Sequence, residues 1–263
     1  MQVHFISGLP RAGSTLLAAI LRQNPRIHAS IQSPVGQCVT ALHEAMSGKN
    51  EAHWFINDRQ RVRSLRALFT AYYEMDVDIV FDANRRWCAN MSLVMDMFPG
   101  AWVLCCVRDI IAVVDSIERL LQNHPRTLST IVGLEPNTTV FGRVKRLMEP
   151  LGLVGYAWNA VQEAYYGLHR DRLLIVNYDD LARYPDKLMT EIHEKLELPA
   201  FKYDFENINP IPGADLFDQS IGTPGLHSLK KRVEYLPRTS ILPPAILASL
   251  PRPFWLKELQ TDA

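Results

Sequence analysis

The chain reads as a doubly wound α/β fold, a parallel sheet with helices on both faces. Three observations predict it. Four short apolar runs are continuous rather than alternating, so their side chains are buried on both faces of a sheet. Helical stretches separate those runs, the connection that parallel neighbours require. The first run passes through a glycine-rich turn straight into a helix.

The first strand is expected over residues 3–6. It enters Gly8-Leu-Pro-Arg-Ala-Gly13-Ser14-Thr15, and a helix is expected over 14–22. This layout makes a phosphate cradle, because turn N–H groups and the positive end of the helix dipole converge on an anion. The Gly8-to-Gly13 spacing fits the P-loop type, which needs Lys after its second glycine. Ser14 stands there, and the fixed charge is Arg11, inside the turn. A cradle without the lysine that reaches a terminal phosphate suggests a different phosphorylated donor.

A helix over 61–74 leads to the second strand, 78–81. A helix over 91–98 precedes the third, 102–107, which ends in Arg108. The helix that follows, 110–122, carries Ile110, Ile111, Val113, Val114, Ile117, Leu120 and Leu121 on its core side, with Asp115, Ser116 and Arg119 on the other. A helix over 151–168, the fourth strand at 173–176 and a helix over 187–196 complete the core. Ligands of such sheets sit outside the carboxyl ends of the strands. Motifs at those ends are therefore expected to share one site.

Composition bounds the rest. The length of 263 residues suits one domain, 1–263, with a core over about 1–198 and a tail over about 199–263. Nine of the 17 prolines lie from Pro199 onward, but the tail keeps Phe201, Tyr203, Phe205, Phe217, Phe254 and Trp255, so it is expected to pack on the core. Lys plus Arg and Asp plus Glu balance at 28 each, which argues against a generic nucleic-acid binder. No apolar run approaches the roughly 20 residues of a bilayer span, and no leader-type stretch opens the chain. A cytoplasmic protein is expected. Cys38, Cys88, Cys105 and Cys106 lack metal-type spacing and read as buried free thiols; no metal site is expected. Asn137-Thr138-Thr139 matches the glycosylation acceptor, which carries no meaning without a secretory signal.

Arg108, at a strand end, and Ser116, in the next helix, can grip one phosphate between a planar fork of donors and a hydroxyl. An Asp115–Arg119 helix ion pair accounts for part of the same stretch. Set beside the Arg11 loop, this pair resembles the two phosphate motifs of the sulfotransferases that use 3′-phosphoadenosine 5′-phosphosulfate (PAPS). Leu9-Pro-Arg-Ala-Gly-Ser-Thr-Leu-Leu17 is most similar to the tyrosylprotein-sulfotransferase-like branch. The family's 3′-phosphate motif is Arg at a strand end with Ser eight residues later, the spacing of Arg108 and Ser116. Leu173-Leu-Ile-Val-Asn-Tyr178-Asp-Asp-Leu181 with Pro185 resembles the family's strand and Tyr-Glu-Asp-Leu string, and Gly225-Leu-His-Ser228-Leu-Lys230-Lys231-Arg232 its late basic loop. On its own residues, Tyr178 reads equally as a core or cap tyrosine, and the late loop as a solvated basic turn.

The resemblance implies transfer of a sulfonate group from PAPS, leaving adenosine 3′,5′-bisphosphate, with no metal. It implies nucleotide contacts from Arg11, Ala12, Gly13, Ser14, Thr15, Arg108, Ser116, Tyr178, Ser228 and Lys230, and catalysis by Arg11 and a second cation. Arg85 is taken for that cation over Arg86, a small register change from the Ala83 on which counting back from Arg108 lands. The branch's glutamate base falls on Gln32, once Pro25 is set on the family proline, and an amide is a poor proton acceptor. His28, Asp82 and Glu44 are the alternatives. A phenolic acceptor softens the need for a base, since tyrosine ionises at about 10 against roughly 16 for bulk water.

The preferred acceptor is a tyrosine in a peptide, drawn by Arg59, Arg61, Arg63 and Arg66 or by Arg143, Lys145 and Arg146. A solvated helix face explains the same residues. A small phenol or hydroxylated metabolite stays open, as do a P-loop small-molecule kinase or NTPase, a non-catalytic nucleotide binder and a homodimer.

Overall fold

The computed structural model describes residues 1–48, 51–73, 77–133 and 138–256. Glu74, the expected end of one helix, and Asn137 of the glycosylation-type triplet lie outside the described residues.

The elements run β1 (Gln2–Gly8), α1 (Ser14–Leu21), β2 (Ile27–Ala29), α2 (Val35–Met46), α3 (Asp58–Tyr72), β3 (Ile79–Ala83), α4 (Met91–Met97), β4 (Val103–Val107), α5 (Ile110–Asn123), α6 (Val140–Met148), α7 (Leu153–Tyr166), β5 (Leu173–Asn177), α8 (Tyr178–Arg183), α9 (Pro185–Leu196), α10 (Ala214–Ser220) and α11 (Pro244–Ser249). Among the described residues the strands form one parallel sheet in the order β2–β3–β1–β4–β5. This is the predicted fold class. Continuous apolarity corresponds to burial on both faces: β1 is buried from Val3 to Gly8, and β3 and β4 throughout.

The four expected strands are β1, β3, β4 and β5. β2, with three residues, is too short to show a period, and α2 buries only Val35, Gly36, Val39 and Met46. α3 begins earlier than its apolar pattern, at an Asn57–Gln60 capping box that satisfies its first N–H groups. Gly152 and Gly167 bound α7, which leaves Leu151 and Leu168 outside it and exposed.

Two expectations need correction. Asp115, expected on the side of α5 away from the core, is nonetheless covered. It is buried, accepting from Arg119 Nε (2.8 Å), the Ile241 N–H (2.7 Å) and Ser240 Oγ (3.1 Å). The cause is the tail, which crosses α5 and packs Leu242 and Ile246 against Val114 and Val144. Cys38 is exposed on α2, whereas Cys88, Cys105 and Cys106 are buried free thiols.

The tail packs on the core as expected. Phe254 meets Trp158 edge to face and Trp255 packs tilted against it, and the Asp204 N–H donates to Gln23 Oε1 (2.7 Å).

Asp82 is fully buried in β3 and accepts from Ser33 Oγ, Tyr73 Oη and Trp87 Nε1 (2.6 Å). Burial pushes its pKa up, and the three donors pull it back. Asp82→Asn places an amide N–H₂ against a cluster of donors. It is expected to destabilise the fold by about 3 kcal/mol, since each buried group left unsatisfied costs ~1–3 kcal/mol. Urea melts check this; an unchanged midpoint would contradict the network.

Candidate active site

Sheet register brings the site together. Ile6 pairs with Ala83, Gly8 with Cys106 and Val107 with Asn177, so the segments leaving β1, β3, β4 and β5 emerge side by side. They open onto a cavity of about 1380 Å³ lined by Arg11, Gly13, Ser14, Thr15, Arg85, Arg108, Ser116 and Tyr178, with Ser228 and Lys230 contributed by the tail.

The loop after β1 is held tightly. Gly8 has φ +112°, and a Cβ there would meet the Cys106 carbonyl oxygen at 2.1 Å. The Leu9 N–H donates to that same oxygen (2.8 Å), which pins the loop to β4. Arg11 adopts a left-handed backbone, φ 57°. Gly13 caps α1 without any side-chain hydrogen bond, leaving the first N–H groups of α1 open at the cavity. Ala12 is fully buried, so only its backbone is available to a ligand.

Arg11 crosses the mouth of the loop. Its Nε donates to Ser116 Oγ (3.1 Å) and its Nη1 to the Leu226 carbonyl of the tail. Arg108 reaches back from the end of β4: its Nη1 donates to the Arg11 carbonyl (3.3 Å), and its guanidinium lies 4.0 Å from the Tyr178 ring centroid. Among the described residues Arg108 Nε is buried with no hydrogen-bond partner. Ser116 is thus gripped by Arg11 rather than by Arg108, and the expected Asp115–Arg119 pair forms as well (2.8 Å). The two readings of this helix coexist on different faces.

Arg85 and Arg86 both line the cavity. Arg85 is the more enclosed, its carbonyl held by Ser7 Oγ (3.1 Å) from inside β1, whereas Arg86 is exposed. Burial lowers the pKa of Arg11, with Arg108 pushing the same way, and burial lowers that of Arg85. Among the described residues eight arginine and lysine side chains line the cavity against one carboxylate, Glu234, which already pairs with Lys230 (2.8 Å) and Arg232 (3.2 Å). An unbalanced set of cations, with Arg11 and Arg85 desolvated among them, favours a multiply charged anion.

Of the four candidate base positions, Gln32 and His28 line the cavity. Asp82 does not, being committed to its three donors. Glu44 is exposed on α2, outside the lining. The basic groups on α3 and α6 also lie outside it: Arg61 pairs with Asp58 (2.5 Å), and Arg143 pairs with the buried Glu118.

Sequence reasoning missed His227. It lines the cavity, with Nδ1 against Asp218 Oδ1 (2.5 Å) and its backbone N–H on Asp218 Oδ2 (2.8 Å). The only sequence signal was a histidine inside the late basic string; Asp218 lies nine residues upstream on a helix too short to show a buried face.

Among the described residues no group of His, Cys, Asp and Glu is arranged to hold a metal ion, and no helix is long and apolar enough to cross a membrane. Residues 4–202 match a family described as the Sulfotransferase family. A protein-tyrosine sulfotransferase of Drosophila melanogaster is 25% identical over 262 residues, covering 90% of this chain and 48% of that protein. The chain therefore spans about half the length of that relative. The sulfotransferase domain from the curacin biosynthetic pathway superposes with a TM-score of 0.51 at 16% identity, covering 76% of this chain and 75% of the other, a likeness of fold alone. A sulfotransferase from Alicyclobacillus acidocaldarius gives 0.48 at 18% identity, covering 78% and 84%.

Proposed function

The chain belongs to the sulfotransferase family, and from that premise we propose that it moves a sulfonate group from PAPS to a hydroxyl acceptor, preferably a tyrosine phenol in a peptide. One observation carries the donor assignment. The open N-terminus of α1, Arg11, Arg108 and Ser116 all line one cavity, and among the described residues the buried Arg108 Nε has no hydrogen-bond partner. These residues fit a nucleotide with a phosphate at each end. Backbone N–H groups of Ala12, Gly13, Ser14 and Thr15 would hold the 5′-phosphate. Arg108 and Ser116, with Ser228 and Lys230 from the tail, would hold the 3′-phosphate, and Tyr178 would lie along the nucleotide. Substitution at Gly13 would fill this cradle, since a Cβ there meets the Tyr178 ring at 2.9 Å.

PAPS supplies an activated sulfonate on a good leaving group. The protein supplies position and charge. Arg11 and Arg85 are placed as catalytic cations, facing charge that develops on the leaving oxygen and the sulfonate. A domain over 1–263 belongs to the proposal, because the tail completes the site through Leu226, Ser228 and Lys230. The tyrosine-peptide acceptor draws support from the excess of cavity cations, which suits acidic flanking residues. Transfer of labelled sulfonate from PAPS to an acidic tyrosine peptide tests the assignment, with phenol and hydroxylated metabolites as parallel acceptors. Transfer confined to the small acceptors overturns the peptide preference, and none to any overturns the enzyme reading.

A further inference from the structure

We propose that His227, oriented by Asp218, is the general base that takes the acceptor hydroxyl proton; this rests on the sulfonate-transfer reading above. His227 follows Leu226, whose carbonyl accepts from Arg11. The imidazole therefore sits on the tail strap that holds the cation of the phosphate loop. Asp218 is 1% exposed and binds both the His227 backbone N–H and its Nδ1. A carboxylate only accepts, so Nδ1 carries the proton and the lone pair is on Nε2. The side chain is 16% exposed, reachable from the cavity but largely shielded from bulk water.

The groups around the ring are Asp218 and Phe217 from α10, Arg11 from the loop after β1 and Arg85 from the loop after β3. Burial and the two arginines lower the imidazole pKa from its usual 6.5, and Asp218 opposes them. The ring is neutral near pH 7, the form a base requires. The rival positions lack this arrangement: Gln32 is an amide, Asp82 is saturated, Glu44 is outside the cavity, and His28 packs on Tyr73 with no carboxylate hydrogen-bonded to it among the described residues. In the step itself the acceptor oxygen forms a bond to sulfur while its proton passes to Nε2. The bond from sulfur to the bridging oxygen of PAPS breaks, and its electron pair leaves with adenosine 3′,5′-bisphosphate. The imidazolium beside Asp218 then returns its proton to water.

The test compares His227→Ala and His227→Gln with wild type on two acceptors: an acidic tyrosine peptide and a nitrophenol already ionised at the assay pH. Loss of a base costs ~10²–10⁴-fold. That loss is expected on the peptide and not on the nitrophenol, with affinity for adenosine 3′,5′-bisphosphate unchanged. Asp218→Asn removes stabilisation of the imidazolium, so the acid limb of the kcat profile should move to lower pH. Full peptide turnover by the His227 variants overturns the assignment. Where no peptide is turned over, nitrogen NMR of the wild-type bisphosphate complex decides: a neutral Nδ1–H ring at pH 7 supports the base, and an Nε2–H or cationic ring overturns it. Failure of wild type to bind the bisphosphate would instead sink the nucleotide reading.

Discussion

Arg11→Ala is expected to lower kcat/KM for sulfonate transfer by about 10²–10³-fold, the loss seen when one preorganised donor to developing charge is removed. Two features make this effect large. The guanidinium is the fixed cation of the phosphate loop, and it ties that loop to Ser116 on α5 and to Leu226 of the tail. Arg11→Lys keeps the charge but cannot make the planar fork, so most of the loss should remain. Arg11→Gly separates charge from conformation. The backbone there has φ 57°, which glycine adopts without strain. The glycine variant should melt at least as high as the alanine variant and be equally slow. A glycine variant with near wild-type turnover would remove Arg11 from the chemistry.

Gly8→Ala is expected to prevent accumulation of the folded protein. The new methyl would lie 2.1 Å from the Cys106 carbonyl oxygen and 2.6 Å from its nitrogen, at φ +112°. Those are backbone atoms of the neighbouring strand, paired directly with Gly8. Relief requires separating β1 from β4 at the centre of the sheet, and a loss above about 4 kcal/mol follows. Gly48→Ala is the control. Its φ is also positive, +103°, but none of the described residues comes within 4 Å of a Cβ there. It should cost only the left-handed backbone penalty, about 1–2 kcal/mol. Thermal melts of the two variants compare them, and equal midpoints would contradict the close-approach account.

The legible parts of this molecule depend on local sequence. Continuous apolar runs marked β1, β3, β4 and β5 because burial on both faces leaves no alternation. The Arg11 loop and the Arg108–Ser116 spacing were readable because each motif is a short string at a strand end, and the sheet register aligns those ends. What stayed hidden depends on how the tail closes. Asp115 lies on the side of α5 away from its apolar stripe, and what covers it, Ser240 and Ile241, comes from far along the chain. The His227–Asp218 pair joins two weakly patterned segments, and neither residue points to the cavity without its partner. Asp82 had the right chemistry for a base, but its three donors come from Ser33, Tyr73 and Trp87, a convergence that no spacing reveals.

The central claim is that two separate basic anchors clasp a nucleotide phosphorylated at both ends. Titration of wild-type protein with adenosine 3′,5′-bisphosphate and with adenosine 5′-monophosphate, side by side in one buffer, tests it most directly. Charge-assisted hydrogen bonds contribute ~1.5–3 kcal/mol each, so two from the Arg108 anchor predict that the bisphosphate binds about 10²–10⁴-fold more tightly. Equal affinity for the two nucleotides would contradict the account.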